Sequence, residues 1–473
     1  MSSLDPDELR EPEREQDRQP KGLLGAVGDF LGGVAPAKLP LRGWPAALAS
    51  LGYPAFRLVW LGACFSAIGM WMQNIAQAWL IYDLTHSEFW LGLEAFATSV
   101  PVVLLLPMGG VLADRYSRRV LLIITNLAQM LLAVLLMALA GTHVIAAWHM
   151  VAISFCHGIA AAVAIPAMQS LLPSLVPRAN LGNAIALNSA QFNASRAIGP
   201  ALGGVVLVNW GAAWSFGYNA VTFLPLIAVL LFMPLPISAA AAAEAPDDGE
   251  GSKSQSSGGT RAMMWRGLVD GVGYLRQRRD ILIMLLTIVL TGLCVAPVMS
   301  MMPALVRDGL HGSASDFSML LSAFGVGAMI GAVMIAARSD RTTSPWRAFP
   351  ILLTMGLALF TIAWSRSLWL TAAAVGVAGV SFTGTMVRLF TTILRSTPDA
   401  FRGRLSSVQV LSFRLGLPLG SMAAGIIAEQ LGITAAFLAA GVAVCLGVPG
   451  LALLARRHGM CKLAAAQATH RLD

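Results

Sequence analysis

Twelve apolar runs of about 20 residues, separated by short polar turns, constrain this chain more than any motif in it. A helix needs roughly 20 apolar residues to cross the hydrocarbon core of a bilayer. Only helices and closed barrels satisfy their own backbone groups there. The runs lie at 58–81, 89–111, 120–140, 146–166, 185–208, 214–236, 280–303, 316–337, 347–365, 369–394, 405–428 and 432–455. Of the 473 residues, 56% are hydrophobic and only 12% charged, about half the charge of an average soluble domain. The sequence predicts an all-α membrane protein with twelve transmembrane helices, and an ordinary soluble enzyme is excluded.

Residues 1–57 read as a largely disordered cytoplasmic arm. Its first 21 residues mix acids and bases and lack the apolar h-region of a cleavable signal peptide. Between the sixth and seventh runs, residues 237–279 form a linker. Its Ala, Ser and Gly stretch is flexible, and Trp265–Arg279 has the spacing of a surface helix. Two six-helix halves remain, 58–236 and 280–455, with a cytoplasmic tail at 456–473.

All but five of the 32 Lys and Arg residues fall in the termini or the even-numbered loops. The exceptions are Arg307 and Arg366 in opposite-side loops and Arg196, Arg388 and Arg414 within spans. That asymmetry places both termini in the cytoplasm. It also accounts for the net charge of +8 without a nucleic-acid partner.

The halves repeat one another. Asp114-Arg115 recurs as Asp340-Arg341, and Pro177…Gly182 recurs as Pro398…Gly403. Arg196…Pro200 matches Arg414…Pro418 with a three-residue slip. Parallel repeats of this kind, related by an axis along the membrane normal, build transporters.

Gly110-Val111-Leu112-Ala113-Asp114-Arg115, followed by Arg118 and Arg119, resembles the signature of the major facilitator superfamily between spans two and three. Here Ser117 replaces its second glycine. Gly109 and Gly110 would let two helices approach closely. Asp114 would cap a facing helix or pair with an arginine, as a cytoplasmic gate shared with Asp340 and Arg341. In span five, Ser195 through Gly199-Pro200 to Gly203-Gly204 resembles the glycine–proline motif of facilitator exporters, with Ser195 for its first glycine. Pro200, and Pro418 in the second half, would bend their helices. Tyr82 to Ser87, Asn188…Pro200 and Pro398…Arg404 resemble the enterobactin-exporter-like branch, also described as transmembrane secretion effectors. The resemblance implies proton-coupled export of a siderophore or another small amphipathic compound across a bacterial inner membrane. Drug–proton antiporters of the superfamily carry an arginine in span four, four residues before a glycine. Here the glycine is Gly158 and the arginine's place is taken by Ser154.

Polar residues inside the spans are the candidate site. Arg196 and Arg414 lie near mid-bilayer, where an ionised side chain costs at least about 2.5–3.5 kcal/mol. Either they form a cationic cradle for an anionic substrate, or each pairs with helix-end carbonyls or an acid. Gln73 and Gln77 share one face of span one and, with Asn74, either line the pathway or bond between helices. Glu94 and Asp83 are candidate proton sites, or interfacial acids. His157 lies at mid-depth, and its imidazole, with an ordinary pKa near 6.5, suits proton exchange or structural hydrogen bonding. No metal or cofactor is expected, and no Walker A loop or hydrolytic constellation occurs in the sequence. The expected partners are the lipid bilayer, a small-molecule substrate and protons. A multidrug efflux antiporter and a nutrient importer of the same fold remain alternatives.

Overall fold

The computed structural model describes residues 46–233, 278–337, 348–397 and 399–457. Among them, ten helices are long and apolar enough to cross a membrane. One is two spans in a single run, Leu181–Phe232, broken only at Gly211, whose φ of 83° and ψ of 176° suit glycine. The chain reverses there. Residues 187 and 199 lie beside residues 60 and 71 of the first helix, whereas residues 219 and 226 lie beside 73 and 62. Ala348–Trp364 is apolar but has only 17 residues. The twelve helices are α1 (Pro54–Thr85), α2 (Glu88–Arg115), α3 (Arg118–Gly141), α4 (Ala147–Leu171), α5 (181–210), α6 (212–232), α7 (Arg279–Ser300), α8 (Ala314–Ala337), α9 (Ala348–Trp364), α10 (Leu368–Ser396), α11 (Asp399–Leu431) and α12 (Ile433–Arg457).

Packing follows the sequence repeat. In the first half α2 pairs with α4, α1 lies against α5 and α6, and α3 covers α6. In the second, α8 pairs with α10, α7 lies against α11 and α12, and α9 covers α12. The halves meet through α2 on α11 and α5 on α8, two contacts that exchange under one pseudo-two-fold axis. Large apolar side chains point outward: Leu104 is 68% and Trp369 75% exposed. Such a surface belongs in lipid.

Of the two glycines expected to bring helices together, only Gly109 does so. A Cβ there would lie 2.1 Å from the Ala162 carbonyl oxygen of α4, whereas Gly110 has nothing within 4 Å. Gly110 is thus not a packing glycine. The arm at 1–45, most of the linker with its surface helix, Asp340, Arg341 and Pro398 lie outside the described residues.

Gly109→Ala should destabilise the protein by about 1–3 kcal/mol, because α2 and α4 must separate to admit the methyl group. Gly110→Ala should be neutral or stabilising. Thermal unfolding of the purified variants in detergent checks this, and equal losses would contradict the assignment.

Candidate functional site

A cavity of about 480 Å³ lies in the half of the molecule nearer the termini. α1 lines it with Ala63, Ala67 and Met70, α3 with Asn126 and Gln129, and α5 with Asn188 and Phe192. α4 and α6 complete the first-half wall, and Arg414 of α11 reaches in from the second half. Asn74 is exposed and continues the 63–67–70 stripe of α1 at helical spacing. Arg414 is the sole charged residue in this lining.

The two mid-membrane arginines have different neighbours. Arg196 is held at the seam between the halves. Its guanidinium donates to Asn193 Oδ1 at 2.8 Å and to Thr383 Oγ1 of α10 at 3.4 Å, and it lies 5.7 Å from the centre of the Phe324 ring of α8. Arg414 makes no hydrogen bond or ion pair among the described residues. Asn193, the acceptor of Arg196, lines the same cavity as Arg414.

Gln73 and Gln77 belong to a hydrogen-bonded chain that crosses four helices. Asn219 of α6 donates to Gln73 Oε1 at 2.6 Å, and Gln73 donates to Gln77 Oε1 at 3.2 Å. Gln77 then donates to Ser154 Oγ at 2.5 Å and Glu94 Oε1 at 3.3 Å. Ser154 itself donates to Glu94 Oε1 at 2.8 Å, and Thr98 to the same oxygen at 3.4 Å. Each amide accepts on one side and donates on the other, so the chain has a direction and ends on one carboxyl oxygen. Glu94 Oε2 has no hydrogen bond among the described residues. The residue standing where drug antiporters carry an arginine thus touches the membrane-embedded acid directly. His157, one turn along α4 from Ser154, is half-buried and outside this chain.

Asp83 is elsewhere. It forms an ion pair with Arg307, in the helical turn after α7, at the face opposite the termini. Beside it Tyr82 donates to Asp308. Arg307 also lies 5.8 Å from the Trp79 ring, which stacks on Phe317. Across the same face, Ser87 Oγ and the Phe89 N–H donate to Glu429 Oε2 of α11 at 2.8 and 3.1 Å. These bonds join the halves and form a latch. At the termini face, Asp114 and Arg115 are exposed. Arg118 donates to the Ser170 carbonyl at 2.9 Å, and Arg119 to the carbonyls of Leu230 and Leu231 at the end of α6. The glycines of α5 divide between two neighbours, Gly199 and Gly203 against α1 and Gly204 against Ser318 of α8. Pro200 and Pro418 are buried, and α5 stays helical through Pro200, its break falling at Gly211.

Sequence reading missed the latch partners Arg307, Asp308 and Glu429, and Asn219 in the amide chain. A signal existed for Arg307, since it breaks the positive-inside pattern. Nothing marked Asn219, because pairing across α1 and α6 depends on their rotation.

Residues 45–470 match the transmembrane secretion effector family. The chain belongs to that family, within the major facilitator superfamily. It is 25% identical over 390 residues to the staphyloferrin A transporter of Staphylococcus aureus, covering 80% of this chain and 91% of that one. It is 30% identical over 189 residues to the enterobactin exporter EntS of Citrobacter koseri, but that match covers 37% of this chain and 44% of the exporter. The fold is similar to that of a bacterial homologue of the lysosomal transporter Spinster, inward-facing and unoccupied. The TM-score is 0.65 at 13% identity, covering 85% of this chain and 96% of that one. It is also similar to a D-xylose–proton symporter, with TM-score 0.64 at 14% identity, covering 84% and 97%. Secretion effectors of this fold are multi-pass transporters, so a bilayer and a small-molecule substrate follow.

With the Arg307 and Asp83 side chains 35% and 44% exposed, the latch pair should contribute no more than about 1 kcal/mol. It is weak enough to break in a working cycle. Arg307→Glu should therefore raise the labelling rate of Ser318→Cys, buried beside α5, by about two- to fivefold. A membrane-impermeant maleimide and an otherwise cysteine-free protein measure this, and unchanged rates would count against the latch.

Proposed function

We propose that the chain is a proton-driven exporter that moves a siderophore or a similar small amphipathic compound out of the cytoplasm by alternating access. The observation that carries the reading is a latched face with an acid just inside it. Glu94 lies within two turns of the start of α2, close behind the contacts of Tyr82, Asp83 and Ser87. The cavity lies on the other side of mid-depth. The siderophore transporters among the relatives support the cargo, and the lysine and arginine pattern supports cytoplasmic termini in a bacterial inner membrane.

In this cycle the described conformation faces the cytoplasm. Substrate enters the cavity while Glu94 gives up its proton on the cytoplasmic side. The halves then rock, the Asp83–Arg307 and Glu429 contacts part, and substrate leaves outward. A proton from outside binds Glu94 at Oε2, and closure of the latch resets the carrier. One proton moves inward as one substrate moves outward, so the gradient drives export. Asp114, Arg115, Arg118 and Arg119, with Asp340 and Arg341, serve as the cytoplasmic gate of the alternate state. His157, one turn along α4 from Ser154, serves as a second proton site. Arg196 joins the halves at mid-depth in the inward-facing state, and Gly199, Pro200, Gly203 and Gly204 of α5, with Pro418 of α11, serve as the points where these helices bend during rocking.

Inside-out vesicles with an acidic interior test this. Wild-type vesicles should accumulate an iron-free catecholate siderophore, and a protonophore should abolish the accumulation. Glu94→Gln should lose gradient-driven accumulation by about tenfold or more while retaining exchange of labelled for unlabelled siderophore. Full gradient-driven transport by Glu94→Gln would remove Glu94 from the mechanism. Accumulation of a lipophilic cationic dye alone would instead indicate multidrug efflux, and uptake only into right-side-out vesicles an importer.

A further inference from the structure

We infer that the cavity binds an oxyanion, a carboxylate or phenolate, at Arg414, carried on a skeleton that supplies hydroxyl or amide N–H donors, and that this site is separate from Glu94. The inference rests on reading the chain as a transporter whose substrate enters this cavity.

Charge comes first. No acidic residue lines the cavity, and its one cation, Arg414, is without a hydrogen bond or ion pair among the described residues. A guanidinium in a low-dielectric setting calls for a counter-charge, and its planar fork suits an oxyanion. Arg196 is not part of this lining; it donates to Asn193 and Thr383 and lies beside the Phe324 ring, with its Nε without a hydrogen bond among the described residues.

The neighbouring amides then restrict the rest of the ligand. Asn126 donates to the Leu122 carbonyl at 2.7 Å, and Gln129 to the Thr125 carbonyl at 3.2 Å, both on their own helix. Gln191 donates to Ala63 O and Ser195 Oγ, each at 3.3 Å. At these three side chains the amide oxygens have no partner among the described residues and each is an acceptor, while Gln169 and Asn188 offer both donors and acceptors. Facing a lone cation, these oxygens match a ligand that is an anion at one end and a donor along its body. Phe192 and Phe223 offer faces for its apolar or aromatic part. A volume of about 480 Å³ lies in the usual range for a small-molecule pocket.

Glu94 is absent from this lining, and Gln77, Ser154 and Thr98 converge on one of its oxygens. Proton and ligand therefore do not compete for one side chain. Coupling between them passes through the movement of the halves. A lipophilic cation would meet Arg414 with no acid in the cavity to offset the repulsion.

Binding to the purified full-length protein in nanodiscs is the test, using calorimetry with three probes: a citrate amide, 2,3-dihydroxybenzoylserine and ethidium. At least one oxyanion probe should bind the wild type, and the one that does distinguishes carboxylate from catechol recognition. Arg414→Gln should weaken it by about tenfold or more. Arg414→Lys, which keeps the charge and loses the fork, should fall between. Arg196→Gln should weaken it less than Arg414→Gln does, and ethidium should bind no less tightly to Arg414→Gln than to wild type. Failure of both oxyanion probes to bind the wild type would overturn the inference. So would wild-type affinity in Arg414→Gln, or equal losses in the Arg196 and Arg414 variants. Elution of each variant as a single symmetric species, and retained Arg414→Lys binding, separate loss of the site from loss of fold. Arg414-dependent binding without gradient-driven flux would leave the site standing and the exporter reading refuted, and siderophore flux undiminished in Arg414→Gln would do the reverse.

Discussion

Between helices in a bilayer there is no hydrophobic drive to association, because lipid tails are as apolar as leucine. What holds this molecule together is close backbone approach and polar bonding sheltered from lipid, and both are discontinuous along the helices. Gly109 lets α2 meet α4 at backbone distance, and the Asn219–Gln73–Gln77 chain ties α6 to α1, α4 and α2. Inside a half these ties are buried and mutually supporting. Between the halves Gly92, Gly425 and Gly325 also allow close backbone approach, but the polar bonds of the latch are partly exposed. A transporter of this architecture needs that contrast, since each half must survive a motion that breaks the seam.

The same contrast separates the chemistry. The acid is built into the rigid first half, where the direction of the amide chain fixes which oxygen of Glu94 is occupied and which is open. The free cation comes from the second half and reaches into a cavity whose remaining lining residues belong to the first. A ligand spanning Arg414 and the amides of α3 and α5 therefore touches both halves at once. Its binding energy differs between open and closed arrangements, which is the condition for a ligand to shift the equilibrium. In the proposed cycle, protonation of Glu94 biases the same equilibrium from the latched face.

The fold was legible because apolar run length in a bilayer leaves little choice, and the twelve helices lie where the runs lie. Their ends moved by a few residues: α1 starts at Pro54, four residues before the expected 58, because proline suits the first turn of a helix and Phe56 is buried there. The arginine repeat was legible as a repeat, but the different surroundings of its two members were not. Equivalent positions in two halves need not have equivalent neighbours once the halves are tilted, so Arg196 met Thr383 and Phe324 while Arg414 met open space. The bond between Ser154 and Glu94 needed three-dimensional information, since α2 and α4 are adjacent in space but not in sequence. Only the absence of the expected arginine at 154 drew attention to that position.

The central claim is that two rigid halves exchange a seal on one face for a seal on the other. Pulsed electron–electron double resonance between spin labels tests it most directly, with pairs at Thr142 and Arg366 on the latched face and Ser117 and Arg395 on the termini face, all exposed. On raising the pH with siderophore present, the account expects a population in which the 142–366 distance lengthens and the 117–395 distance shortens, with both changes in the same fraction of molecules. Fixed single distances in both pairs, or two distances that lengthen together, would contradict rocking and the alternating-access account built on it.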